Sequence, residues 1–281
     1  MVISEKNFSY LSDFLSYGFE TLGEFSYGER FQDIFAAVMG LTVESPYFVD
    51  FGAMHPYNRS NTFLLEKLGW RGVIAEPNPA FKELIFDNRC AHFEPVAVSN
   101  FRGFATLQVP VGKRARATIG NEEIEGPTRK LEVPVIPLND LLDRAGAVSS
   151  ITFFSIDTEG SEWEILRSFP DIVKSCKSLC VEWGHRRSEI LKLLTQWGFV
   201  RVLPEISGVD DWYIHEKFVS ENFSGIYDMR ILIDQTKSLL SEAELPDPGF
   251  DRLRRKSMIE KFSKLGLGRS QRSENLYSEL D

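Results

Sequence analysis

The stretch Val49-Asp50-Phe51-Gly52-Ala53-Met54-His55-Pro56, followed by Ser60-Asn61-Thr62 and then by Gly72-Val73-Ile74-Ala75-Glu76-Pro77-Asn78-Pro79, sets the reading of this 281-residue chain. Tyr47–Phe51 is a strand-length run, apolar but for Asp50, and it breaks at the small residues Gly52 and Ala53. Asn61–Leu68 has helical spacing, and Gly72–Glu76 is a second strand. Two such strands joined by a helix run parallel, because parallel neighbours need a crossover connection.

Outward from this unit the alternation continues. Pro79–Asn88 is a predicted helix and His92–Val98 a third strand. Leu138–Ala145, Glu162–Phe169 and Ser188–Trp197 are predicted helices, alternating with strands at Ile151–Ile156 and Ser178–Trp183. Phe199–Leu203 and Trp212–His215 are two final strands with too little chain between them for a crossover helix, so they pair antiparallel. The region 100–137 interrupts the series. Phe104–Val109 and Lys130–Ile136 alternate like half-exposed strands around the polar, basic stretch Gly112–Arg129, which reads as an inserted hairpin with a mobile loop near the substrate.

Residues 1–45 are helical by spacing, with Leu11, Phe14, Leu15 and Phe19, then Phe31, Ile34, Phe35 and Val38, marking apolar faces that need a partner. Beyond residue 218, Ile226–Leu240 and the basic Arg252–Leu265 are helical candidates separated by Pro246-Asp247-Pro248-Gly249, and residues 266–281 are polar. The expected organisation is a helical segment over 1–45, an α/β domain over 46–218, and a loosely attached, helical and partly disordered tail over 219–281.

A formal net charge of −9 argues against nucleic acid as a partner, since binding its backbone needs a basic surface. The start MVISEKNFSY carries no basic region ahead of an apolar run, and the longest apolar stretches fall far short of the roughly 20 residues that span a bilayer. The expectation is a cytoplasmic protein with no membrane span. Cys90, Cys176 and Cys180 make neither a disulfide framework nor a CxxC pair, and the four histidines form no zinc motif, so no metal is assigned.

Strand ends in a doubly wound sheet share one edge, where ligands bind. Glu76, 24 residues after Gly52, is placed there to accept both ribose hydroxyls of an adenosine ligand. A dinucleotide fold uses the same acidic position but also needs GxGxxG to seat a pyrophosphate, and here only Gly52 of that pattern is present. That argues against a nicotinamide-dependent reductase. It favours an adenosine ligand without phosphates, and S-adenosylmethionine is such a ligand.

At this point the residues resemble the FkbM family of methyltransferases. Asp50-Phe51-Gly52-Ala53, Ser60-Asn61-Thr62, Leu65-Glu66-Lys67-Leu68-Gly69-Trp70-Arg71-Gly72 and Glu76-Pro77-Asn78-Pro79 carry the resemblance, as does Ser155-Ile156-Asp157-Thr158-Glu159-Gly160-Ser161-Glu162, which is similar to that family's IDxEGxE block. The resemblance covers about Tyr47 to His215. It implies a class I, Rossmann-like methyltransferase fold: a seven-stranded, mostly parallel sheet of order 3-2-1-4-5-7-6 with strand 7 antiparallel. It also implies O-methylation of a saccharide or natural-product hydroxyl, with S-adenosyl-L-methionine as cofactor. The commoner family pattern after Gly-Ala is Asn-Asp-Gly, where this chain has Met54-His55-Pro56. Pro56 supplies no backbone donor and His55 adds a titratable group. That departure supports a rival reading, a non-catalytic binding or scaffold protein on a degenerate methyltransferase fold.

The expected cofactor residues are Asp50, Gly52, Ala53, His55, Asn61, Glu76, Pro77, Asn78 and Asp157. The expected catalytic residues are Asp157, Glu159 as a base, and His185, which follows the strand that ends near Glu182. Asp157 with Glu182 offers oxygen ligands to a hard divalent ion, but no compact metal motif accompanies them. Glu162 is better explained as a carboxylate at a helix N-terminus.

Overall fold

The computed structural model describes residues 5–111, 117–119, 126–146, 150–223, 229–248 and 259. Its elements, in chain order, are α1 (Glu5–Leu22), a short 3-10 turn (Gly23–Phe25), α2 (Gln32–Gly40), β1 (Tyr47–Phe51), α3 (Phe63–Lys67), β2 (Arg71–Ala75), α4 (Lys82–Asn88), β3 (His92–Glu94), β4 (Ala97–Ser99), β5 (Gly103–Pro110), β6 (Thr118–Ile119), β7 (Thr128–Pro137) and α5 (Leu138–Arg144). There follow β8 (Phe153–Ile156), α6 (Glu162–Ser168), α7 (Pro170–Lys174), β9 (Ser178–Glu182), α8 (Arg187–Gln196), β10 (Phe199–Val202), α9 (Pro204–Ser207), β11 (Asp210–His215), α10 (Glu216–Asn222) and α11 (Met229–Glu242).

Seven strands form a mixed sheet in the order β3-β2-β1-β8-β9-β11-β10. β1 pairs parallel with β2 and β8, β2 with β3, and β8 with β9. β11 runs antiparallel to both β9 and β10. Every residue of β1 and β8 is buried, as strands covered on both faces must be. Side chains alternate between the two covers. Phe48 and Phe153 face a core built with α1, α2, α3, α10 and α11. Tyr47, Val49, Phe51, Phe154 and Ile156 face a second core built with α5, α6, α7 and α8.

The structure corrects the sequence reading at several points. The third strand, expected over His92–Val98, is two strands: β3 joins the large sheet, and after Pro95 the chain turns so that β4 pairs with β7 in a separate sheet of order β4-β7-β5-β6. Proline removes a ladder donor, which ends the first pairing there. The helix expected from Asn61 begins at Phe63, because Ser60–Thr62 spend their side chains on other contacts. The chain after Phe169 turns directly into α7, a helix the sequence reading lacks; Pro170 sits at its start. Within the insertion, β5 pairs antiparallel with β7 over its whole length, and Thr118–Ile119 within the expected loop forms the edge strand β6.

α11 is no loose appendage. Met229, Ile233 and Leu240 are buried in the core that α1 shares, Tyr17 donates to Asp234 at 2.8 Å, and Tyr27 donates to the Pro246 carbonyl at 2.5 Å. Apart from Ile259, the helix expected over Arg252–Leu265 and the polar stretch 266–281 lie outside the described residues. Among the described residues no helix is long and apolar enough to cross a membrane.

Candidate active site

The sheet order sets the residues that follow each parallel strand in a row. Ala97 and the added sheet lie beyond β3, Glu76 follows β2, Gly52 follows β1, Asp157 follows β8, and Glu182 ends β9. A cleft opens along this edge. It is lined by Gly52, Met54, Glu76, Pro77 and Asn78 at its centre and by Asp157, Thr158 and Glu159 at one end, with the apolar residues Phe81, Ala97, Leu107, Ala117 and Ile119 at the other. The sequence reading named six of these: Gly52, Glu76, Pro77, Asn78, Asp157 and Glu159.

Gly52 has φ +80° and donates its N–H to the Ala75 carbonyl at 3.0 Å. That left-handed turn swings the chain away from the sheet while Asp157 donates back to Phe51 at 3.2 Å. Glu76 is 5% exposed, and each carboxylate oxygen accepts one backbone N–H, from Met54 at 2.8 Å and from Asn78 at 2.7 Å. Burial pushes its carboxyl up to about 7, against the pull of those two hydrogen bonds. Each oxygen keeps further acceptor capacity for a ligand hydroxyl.

Asp50, Asn61 and Ala53 stand behind the cleft lining. Asp50 is buried and its carboxylate accepts from the Thr62 hydroxyl at 2.5 Å, while Asn61 donates to Ser155 on β8 at 3.1 Å. Burial raises the Asp50 carboxyl, with Thr62 and Arg89 opposing the rise. These bonds pin the 56–62 loop to β1 and β8. His55 closes its own turn: Nδ1 accepts from Asn58 N–H at 3.1 Å and Tyr57 N–H at 3.4 Å, and the ring meets Tyr57 edge-on with centroids 4.7 Å apart. Burial lowers its proton affinity, and a ring nitrogen that accepts must be unprotonated. His55 and Pro56 thus sit in a tight turn, flanked by positive φ of 55° at Met54 and 61° at Arg59.

A residue with no sequence signal holds this loop. The Arg89 guanidinium is fully buried, pairs with Glu66 at 2.7 Å, and donates to the Pro56 carbonyl at 3.1 Å, to Ser60 Oγ at 3.3 Å and to Thr62 Oγ1 at 2.9 Å. It lies just past α4, in no motif, so only the fold reveals its targets.

At the other end, Glu162 organises the turn after β8. Its carboxylate accepts from Thr158 N–H at 2.8 Å, from the Thr158 hydroxyl at 2.8 Å and from Gly160 N–H at 3.1 Å. This is the helix-N-terminal role expected of it. The turn holds Glu159 at φ 55°, where it joins Asp157 and Glu182 with carboxylate oxygens all within 4.8 Å of one another. Burial holds Asp157 well above the usual carboxylate range, and Glu182, Asp210, Glu159 and Glu162 add repulsion. Glu182 is pushed up to about 7 by burial and then by Glu159, Glu162 and Asp210, while a hydrogen bond from Asp157 opposes the rise. Carboxyl groups this close oppose one another's ionisation. The same spacing admits a hard divalent cation.

Asp210 stands opposite Glu182 across the β9–β11 pair and accepts from the buried Gln32 amide. The N-terminal helices therefore reach this edge through α2. His185 is exposed in the turn after β9 and does not line the cleft.

The carboxyl edge of the parallel strands, where this cleft lies, is where doubly wound α/β proteins bind their ligands. The profile of the Methyltransferase FkbM domain matches residues 50–203, and the chain belongs to that family. Comparison with curated proteins and with solved structures finds no match.

Proposed function

We propose that this chain transfers a methyl group from S-adenosylmethionine to a hydroxyl of a saccharide or another small natural product. Buried Glu76, at the end of β2 beside a side-chain-free Gly52, is the observation that carries the cofactor reading. Its two oxygens have acceptor capacity for a ribose diol, and the turn has no glycine-rich cradle for a pyrophosphate. The large sheet supports a class I assignment: counted along the chain within that sheet, its strands stand 3-2-1-4-5-7-6, with only β11 reversed against its neighbours.

When bound, S-adenosylmethionine supplies an electrophilic methyl group. Glu76 would accept the ribose hydroxyls, and Gly52 would let the backbone approach the methionine portion. Asp157 lies two strands from Glu76, roughly 10 Å at the usual strand spacing. There the acidic cluster of Asp157, Glu159 and Glu182 would favour a cationic sulfonium. An ionised carboxylate of the Asp157–Glu182 pair would take the acceptor's hydroxyl proton. His185, exposed, has no part in this scheme. Incubation with S-adenosylmethionine and a panel of saccharide and natural-product hydroxyls, followed by mass spectrometry, tests it. Gain of one methyl group on an oxygen supports the proposal; gain on nitrogen or carbon only would overturn the acceptor class.

A further inference from the structure

We infer that the turn after β9 and the start of α6 form an oxyanion clamp for a carboxylate or phosphate carried by the acceptor saccharide. This rests on the acceptor reading above and narrows it to acidic saccharides. One side of the clamp is the turn Trp183-Gly184-His185-Arg186-Arg187. The other is α6, through Trp163 and, one helical turn on, Arg167. The Arg167 and Arg186 guanidinium carbons lie over the Trp163 ring, 5.4 Å and 5.8 Å from its centroid. One indole thus gathers two cations from two elements. A guanidinium over an aromatic ring engages it through its face and keeps its N–H edges, the fork that matches carboxylate and phosphate.

These two cations are placed but not spent. Arg167 is exposed and makes no ion pair among the described residues. Arg186 has Glu189 at 3.6 Å, with the two side chains 44% and 48% exposed, and a pair so open to water holds its partners weakly. Arg187 differs. It donates to both oxygens of buried Asp211, at 3.0 Å and 2.9 Å, while its guanidinium carbon stands 5.0 Å from the Trp183 ring centroid. It therefore pins the turn. Both indoles also pack against the core under α5 to α8, so the platform is fixed without a ligand. The clamp adjoins the acidic end of the cleft. Glu182 directly precedes Trp183, and Glu162, which holds the turn bearing Glu159, directly precedes Trp163. A sugar with one hydroxyl at the Asp157–Glu182 pair then brings an acidic substituent to the arginines. Carboxyls that oppose one another's ionisation lessen the repulsion it meets.

Fluorine NMR of the full chain labelled with fluorotryptophan tests this. Trp163→Phe, or Arg167→Gln if that variant does not fold, assigns the Trp163 resonance. The probes are glucuronate, glucose-1-phosphate and neutral glucose. An acidic sugar should move this resonance saturably and glucose should not; the acidic sugar that binds more tightly names the group. The double variant Arg167→Gln with Arg186→Gln should bind it about tenfold more weakly or worse, the loss of a charge-assisted hydrogen bond. No shift from either acidic sugar, an equal shift from glucose, or undiminished affinity in the folded double variant would overturn the clamp. Saturable shifts with no methyl gain on any hydroxyl would uphold the clamp and remove the methyl-transfer reading. Methyl gain on neutral saccharides, unchanged in the double variant, would uphold methyl transfer and overturn the clamp.

Discussion

A Cβ on Gly52 would lie 1.7 Å from the carbonyl oxygen of Asp157. The ends of β1 and β8 meet there, backbone to backbone, under the centre of the cleft. The obstacle is main chain and cannot rotate aside, and φ at Gly52 is +80°, which side chains other than glycine rarely adopt. Gly52→Ala should therefore separate the two strand ends, lower the thermal midpoint and abolish measurable cofactor binding. The strained conformation alone costs about 1–3 kcal/mol, before any overlap is relieved. An alanine variant with unchanged stability and binding would mean that β1 and β8 do not meet as described.

Glu76→Ala should weaken S-adenosylmethionine far more than it disturbs folding. Losing hydrogen bonds to an ionised carboxylate costs about 1.5–3 kcal/mol, a factor of roughly 10–150 in affinity. The unliganded protein should still fold, because relief of the buried carboxyl's ionisation cost at neutral pH offsets part of what the Met54 and Asn78 N–H groups lose with their acceptor. Equal affinity in the variant, read by calorimetry, would remove Glu76 from the ribose site.

The acidic end gives a pH-dependent prediction. The Glu182 carboxyl is raised from its ordinary 4.5 to about 7 in the folded chain. The folded state then binds the proton more tightly than the unfolded state, so stability falls as pH rises from about 4.5 to about 7 and stays lowered above that. Glu182→Gln keeps a polar partner for Asp157 and cannot ionise. Its thermal midpoint should match the wild type near pH 4.5 and exceed it by a few degrees near pH 8. A variant less stable than the wild type at pH 8 would contradict the raised proton affinity of Glu182.

Much of this was legible in the residues, for identifiable reasons. β1, β8 and β9 are mostly apolar runs because they are covered on both faces, and each lies within two residues of its expected bounds. Gly52 and Glu76 could be read because strand ends converge at one edge whatever the rest of the chain does. The added sheet was half legible: β5 and β7 alternate, but nothing before Pro95 announces that the chain changes sheets. The roles around the loop were least legible. Asp50 and Asn61 lie in the expected region yet spend their side chains on Thr62 and Ser155. His55 caps a turn, and Gln32 reaches Asp210 from 178 residues away in sequence. Such long-range pairings have no period and no spacing in the chain.

Arg89 is the sharpest example and is testable. Its guanidinium spans Glu66, Pro56, Ser60 and Thr62 at once, which the single ammonium of lysine cannot do. Arg89→Lys should fold but bind S-adenosylmethionine more weakly, since the 56–62 loop loses part of its anchor. Arg89→Met, which leaves the buried Glu66 carboxylate without its cation, should cost about 3–5 kcal/mol of stability by denaturant unfolding. Wild-type affinity in Arg89→Lys would show that the loop's anchorage does not matter to the site.

The central claim is that the row from Glu76 to Asp157 is an adenosyl cofactor site. Calorimetric titration of the folded wild-type chain with S-adenosylmethionine and S-adenosylhomocysteine tests it most directly. Saturable one-to-one binding of both is the predicted result, and no binding of either at concentrations up to the millimolar range would contradict it.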